Sequence, residues 1–157
     1  MDIPEITLRL VAAVLVGGAI GLNRDLHAKQ TGVRTLSLVS LGCALVVLAS
    51  LHLGAPGDTT RVIQGIVTGI GFLGAGVIVR PQGGLHIHGL TTAASVWFTA
   101  CVGVACAVAD WPLILIGLVL SMLILVWGGD LEKAVRRRFL PPDELRSDDP
   151  SSGPPPA

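Results

Sequence analysis

The sequence predicts an all-α, polytopic membrane protein with five transmembrane helices and a short cytoplasmic tail. Three observations lead there. Of 157 residues, 51% are hydrophobic and only 14% are charged, against the roughly one quarter charged that a soluble domain carries. Mean hydropathy is +0.71. The apolar residues also gather in five runs, each near the ~20 residues that cross about 30 Å of hydrocarbon. Eleven basic residues balance eleven acidic ones. That balance excludes the cationic excess of a nucleic-acid binder and the composition of an acidic disordered chain. The shortage of charge excludes a soluble globular enzyme.

The runs are Ile6–Leu22, Thr35–Leu53, Val62–Val79, Gly89–Ala109 and Leu113–Trp127, the last extending to Gly129. They are too long, and too free of two-residue alternation, to be barrel strands. Helix 1 carries one charge, Arg9, close enough to its end to snorkel to the interface. Its Ala13, Gly17 and Gly21 recur every four residues, and that stripe runs on to Arg24. Helix 2 opens on Gly32-Val33-Arg34-Thr35. Helix 3 divides into two faces when its residues are spaced 100° apart. Val62, Ile63, Ile66, Ile70, Leu73 and Val77 form a bulky arc suited to lipid, while Gln64, Gly65, Thr68, Gly69, Gly71, Phe72 and Gly76 lie opposite. Lipid tails are as apolar as Leu, so small residues mark the faces where helices meet. Gly17, Gly21, Gly65, Gly69, Gly71, Gly74 and Gly76 are therefore the expected packing positions, with helix 3 at the centre. Helix 4 aligns Thr92, Ser95, Thr99 and Cys106, with Gly103 close by. Helix 5 is Leu, Ile and Val almost throughout and is expected at the periphery.

Brief connectors with Gly and Pro separate the runs, at 54–58, 81–84 and 110–112. Residues 1–129 read as the membrane domain. In 130–157, Asp130–Leu140 reads as a basic juxtamembrane helix with Arg136–Arg138 near anionic headgroups. A Pro-, Ser- and Asp-rich tail expected to be disordered follows from 141 to 157. Arg24, Lys29, Arg34, Arg80, Lys133, Arg136, Arg137, Arg138 and Arg146 fall on one side of a five-helix count, and Arg9 and Arg61 on the other. The basic side is cytoplasmic by the positive-inside rule, which puts the N-terminus outside and the C-terminus inside. Helix 1 lacks a positive leader and is not read as a cleaved signal peptide.

Little in the chain points to catalysis. Gly69-Ile70-Gly71-Phe72-Leu73-Gly74 fits the spacing of a dinucleotide loop. It sits inside an apolar run, however, with no acidic residue about 20 positions on. His86 and His88 lack further ligands at zinc spacing. Cys43, Cys101 and Cys106 read as small apolar residues. No enzyme activity, cofactor or resident metal site is expected. The polar groups that stand out lie at the membrane edges. Arg24 and Asp25 end helix 1, Arg34 and Thr35 open helix 2, and an ion pair of Asp25 with Arg24 or Arg34 would fix how these helices meet. Arg61 and Gln64, with Asp58, hold the outer end of helix 3. No Asp, Glu or Lys lies inside any of the five runs, whereas proton relays and coupled transporters place ionisable groups there. Mg²⁺ also wants oxygen ligands. A single chain thus offers no ion path, and an oligomer would have to build one from the polar faces of helices 3 and 4.

Several stretches together resemble the MgtC/SapB family. They are Gly18-Ala19-Ile20-Gly21 with Arg24-Asp25, Gly32-Val33-Arg34-Thr35, and Arg61-Val62-Ile63-Gln64 leading into the glycine-rich run 69–78. Gly89-Leu90-Thr91-Thr92-Ala93-Ala94-Ser95 with Trp97 completes the pattern. The resemblance covers about residues 9 to 127 and adds Thr91 and Thr92 to the functional candidates. It implies a bacterial inner-membrane protein linked to magnesium homeostasis, low-Mg²⁺ adaptation and virulence. Two modes of action are implied. One is modulation of other membrane proteins, including the F-type ATP synthase, or self-association within the bilayer. The other is ion transport, with Mg²⁺ as the ion. A purely structural membrane subunit is the third reading. Two departures stand out: a short tail where many members carry a soluble C-terminal domain, and Asn23 where relatives often have an acidic residue. The second leaves Asp25 as the carboxylate of the first loop.

Overall fold

Each apolar run folds as a helix, and the boundaries follow from local chemistry. The computed structural model describes residues 1–54, 57–78 and 88–139, the side chains at 132–134, 136, 137 and 139 excepted. Within them lie α1 (Ile3–Leu26), α2 (Val33–Leu53), α3 (Asp58–Gly76), α4 (Leu90–Val108) and α5 (Trp111–Phe139). The readings made for Arg80, His86, the 81–84 connector and the 141–157 tail lie outside the described residues. So do those for the side chains of Lys133, Arg136 and Arg137.

Pro4 and Glu5 occupy the first turn of α1, where a missing N–H costs nothing and an acid meets the positive end of the helix. Gly57 and Gly89 precede α3 and α4 with φ of +106° and +96°, a backbone region that glycine enters without strain. Ala109, at φ +58°, ends α4. The Oδ1 of Asp110 then accepts a hydrogen bond from the Leu113 N–H (3.2 Å) and caps α5. From there α5 continues through Gly128, Gly129 and Asp130 to Phe139 without interruption. The expected juxtamembrane segment is thus the end of the fifth helix, not a separate element. Residues Met1–Met122 form one compact unit and Leu123–Ala157 a second.

In the first unit, α1 packs chiefly on α2, α2 on α4, and α3 on α4. The core joins Ala13, Ala44, Val47, Leu48, Val102, Cys106, Ala107 and Ile114. The closest approaches use small residues. A Cβ added at Gly17 would lie 2.6 Å from the Leu36 carbonyl oxygen and 2.9 Å from the Ser40 Cβ. One added at Gly103 would lie 2.9 Å from the Ser40 Cα. The polar stripe of α4 turns inward, with Thr92, Ser95, Thr99 and Cys106 all buried.

Two expectations fail at α3. The centre of the unit is α2 and α4, not α3, and most of the aliphatic arc of α3 turns inward, Leu73 alone staying exposed as expected. Ile70 is buried, and Val62, Ile63 and Ile66 pack against the core. A Cβ added at Gly65, Gly69, Gly71 or Gly76 meets no described atom within 4 Å. Phe72, on the glycine side, is 84% exposed. Of the packing glycines expected on α3, only Gly74 is buried against a neighbour, with Ala93 Cβ 3.7 Å from the added atom. The reason lies in α4, which presents Ala100, Cys101 and Val104 to Ile63, Ile66, Val67 and Ile70 across an apolar groove of about 160 Å³. Small residues on one helix receive large ones from the other, so a second small face is not needed for this contact. Among the described residues, four helices (α1, α2, α4 and the Trp111–Leu131 part of α5) are long and apolar enough to cross a membrane. α3 is the exception, because it takes in Asp58, Arg61 and Gln64.

Candidate functional site

Arg24 stands in the last turn of α1, at the foot of the Ala13, Gly17, Gly21 stripe. That position decides its environment. Gly21 lets α2 come in against α1: a Cβ there would sit 2.5 Å from the Val33 Cα and 2.7 Å from the Val33 nitrogen. The guanidinium is thereby shut inside the bundle, 3% exposed. Its Nε donates to the Thr31 Oγ1 (3.3 Å), Nη1 donates to the Ser95 Oγ (3.1 Å), and Nη2 donates to the Thr92 Oγ1. Thr31, Thr92 and Ser95 are themselves buried. Ser95 donates its own O–H to the Thr91 carbonyl oxygen (2.7 Å). One side chain thus ties α1, the α1–α2 turn and the first turns of α4 into a single polar cluster.

Asp25 does a different job from the one expected of it. Its Oδ2 accepts a hydrogen bond from the Val33 N–H (2.9 Å) and caps α2 from outside, since Gly32 has no side chain to do so. Among the described residues it forms no ion pair with Arg24 or Arg34, and the one ion pair there joins Arg9 to Glu5. A backbone amide at a helix N-terminus, with its partial positive charge, is sufficient partner for a carboxylate. Arg34, Thr35 and Thr91 are exposed beside the cluster. Arg61 and Gln64 do not join it. They lie near the start of α3, at the end of the bundle where the Ser50 hydroxyl of α2 meets the Thr59 hydroxyl (3.2 Å).

Arg9 also departs from expectation. Instead of reaching outward, its Nη1 donates to the Ala107 carbonyl at the end of α4 (2.5 Å). A cation at a helix C-terminus satisfies a carbonyl that has no intrahelical partner.

Thr31 is the member of the cluster that sequence reasoning missed, and Ser95 was read as part of a helix face without a role. The one available signal for Thr31 was its place immediately before the Gly32 turn. Among the described residues no cluster of three or more His, Cys, Asp or Glu side chains is placed to hold a metal.

Comparison with known proteins fits the helical membrane architecture. The model of the MgtC family matches residues 10–134. The chain belongs to the MgtC family. SrpB of Synechococcus elongatus is 35% identical over 170 aligned positions, covering 92% of each chain. MgtC of Salmonella typhimurium is 42% identical over 104 residues, which is 66% of this chain and 44% of that protein. YhiD of Escherichia coli K12, named as a candidate magnesium transporter, is 37% identical over 132 residues, or 77% of this chain and 59% of its own length. This member of the MgtC family therefore spans nearly all of SrpB, but less than half of MgtC and about three fifths of YhiD. No solved structure matches the chain.

Proposed function

We propose that the chain is a non-enzymatic regulator in a bacterial inner membrane. It acts in magnesium homeostasis and low-Mg²⁺ adaptation by binding and modulating other membrane proteins, in some species as part of virulence. The observation that carries this reading is the outward glycine face of α3. Gly65, Gly69, Gly71 and Gly76 leave its backbone open to close approach, and Gln64 and Thr68 add polar groups on the exposed side. Small residues of this kind let a partner helix pack closely, and polar side chains beside them add interhelical hydrogen bonds. In this reading all five helices span the bilayer, α3 completing its coat with a partner. The N-terminus lies outside and the Arg24 cluster near the cytoplasmic face. The name of YhiD supports the link to magnesium.

A photo-crosslinking amino acid placed at Gly69 in native membranes tests the proposal. Adducts to another membrane protein are expected from position 69 and only lipid adducts from Leu15 or Leu38, which are exposed on α1 and α2. Lipid adducts alone at position 69 would count against it. The competing reading is an oligomeric Mg²⁺ transporter or channel, favoured by the transporter name given to YhiD. Mg²⁺ flux through the purified chain in liposomes, lost in Thr92→Val but not in Leu15→Ala, would establish that reading instead.

A further inference from the structure

The outward face of α3 carries more than glycines. Asp58, Arg61, Gly65, Gly69, Phe72 and Gly76 are all exposed along it, and Phe72 is 84% exposed. At about 100° per residue these positions sort into two flanks. Asp58, Gly69 and Gly76 lie on one flank, Arg61 and Phe72 on the other, and Gly65 runs between them. One flank thus holds an acid and two gaps, and the other a base and a large ring.

Copies inserted the same way in one membrane pair about a two-fold axis along the membrane normal. About such an axis α3 packs parallel to itself and every residue meets its own depth. Each flank then faces the opposite flank of the other helix, as the e and g positions of a parallel coiled coil do. Asp58 of each copy faces Arg61 of the other, so opposite charges meet twice. Arg61 lies about 4.5 Å further along the axis than Asp58, a rise that its long side chain spans. Asp58 also interacts within its own chain, but a carboxylate offers about four acceptor positions and can serve both. Phe72 falls level with the interval between Gly69 and Gly76 of the other copy, where no Cβ stands in its way. At Gly65 no described atom of the same chain occupies the space that an approaching backbone needs. A lipid tail has no charge to set against these groups, whereas a face that answers itself at each depth is what an isologous contact requires.

We propose that a second copy of the chain covers this face when no other partner is bound, α3 packing on α3. The inference rests on the reading of α3 as a docking helix and names what occupies it at rest. Another membrane protein must then separate the two copies before it can engage. A regulator paired in this way keeps its docking face covered until a target competes for it. Such a pair comes apart when micelles greatly outnumber chains, by mass action, so the pairing is measured in lipid.

The test uses the purified full chain in phosphatidylcholine liposomes, where a second copy is the sole protein available. Gly65→Cys and Gly69→Cys are oxidised mildly and compared with the parent chain and with Leu15→Cys and Leu38→Cys, which are exposed on α1 and α2. A disulfide-linked product of twice the chain's mass is expected from positions 65 and 69 and not from the other three chains. In the Gly65→Cys background, Asp58→Lys and Arg61→Glu each set like charges opposite one another and are expected to lower the product several-fold. Mixing these two variants sets opposite charges together again and is expected to restore it. Should either of them not fold, the cysteines at 65 and 69 decide alone, because a side chain added at either position meets no described atom within 4 Å. The proposal is overturned if positions 65 and 69 give no linked product, if Leu15→Cys or Leu38→Cys gives as much, or if the mixed charge variants pair no better than each alone. A chain that stays single in liposomes while position 69 yields adducts to another protein in native membranes overturns the self-pairing and leaves the docking reading standing. Lipid adducts alone in native membranes, with no pairing in liposomes, overturn both.

Discussion

Replacing Gly21 by Ala tests how α1 and α2 hold Arg24 inside. The new methyl carbon would lie 2.5 Å from the Val33 Cα, 2.7 Å from its nitrogen and 2.8 Å from the Gly32 carbonyl carbon. All three are backbone atoms and cannot rotate away. Carbon atoms rest at about 3.5–4.0 Å from one another, so the start of α2 must retreat by about 1 Å. That retreat draws the Val33 amide away from Asp25 and loosens the turn that carries Thr31. Overpacking of this kind costs about 1–3 kcal/mol, or about 5- to 150-fold in the folded-to-unfolded ratio. Gly69→Ala is the matched control, because its added carbon meets nothing within 4 Å and alanine is the better helix former by about 1 kcal/mol. Titration of the purified chain from mild detergent into SDS, followed by circular dichroism, measures both. Gly21→Ala should unfold at clearly lower SDS and Gly69→Ala at the parent value or slightly above. Equal stability of Gly21→Ala and the parent, or a comparable loss in Gly69→Ala, would refute the reasoning.

Three further outcomes use the same titration. The Ser40 Oγ is buried without a hydrogen-bond partner, so Ser40→Ala, which keeps the packed Cβ, should hold stability or raise it by about 1 kcal/mol. A loss of that size would show that the hydroxyl does have a partner. Asp25→Ala should cost about 1 kcal/mol through the lost cap, with Asn at that position recovering most of it; equal losses would point to the charge instead. Arg9→Ala should cost about 1.5–3 kcal/mol, the range for hydrogen bonds to charged groups. Glu5→Ala should cost less than about 1 kcal/mol, because its ion pair is exposed. The reverse order would mean that the ion pair, and not the Ala107 carbonyl, is what Arg9 serves.

The helices were legible in the sequence because hydrophobic run length is dictated by the bilayer and by little else. The four-residue stripe of α1 and the hydroxyl stripe of α4 were legible too, and both turn inward. The phase of α3 was equally plain, yet its direction was not. In water an aliphatic face turns inward because the alternative is costly. In lipid that preference vanishes, and the choice depends on what the neighbour offers. Ala100 and Cys101 on α4 accept the isoleucines of α3, and no pattern within 58–76 contains that information. The Arg24 cluster shows a related difficulty. An Arg and an Asp adjacent in sequence at a helix end suggest an ion pair with the next helix. The geometry sends them in opposite directions instead, Arg24 inward to hydroxyls and Asp25 outward to an amide.

Ser40 has a mechanical consequence. Gly17 of α1 and Gly103 of α4 both press on it, one at its Cβ and the other at its backbone. Three helices are thus pinned at one point on α2, like spokes at a hub. Sliding any of them along its axis would drive a backbone into a backbone. The contact of α3 with α4 has a different character, an oiled bearing of isoleucine against small side chains with about 160 Å³ of slack. If the first unit moves when a partner engages, the spokes stay fixed and α3 is the part that turns.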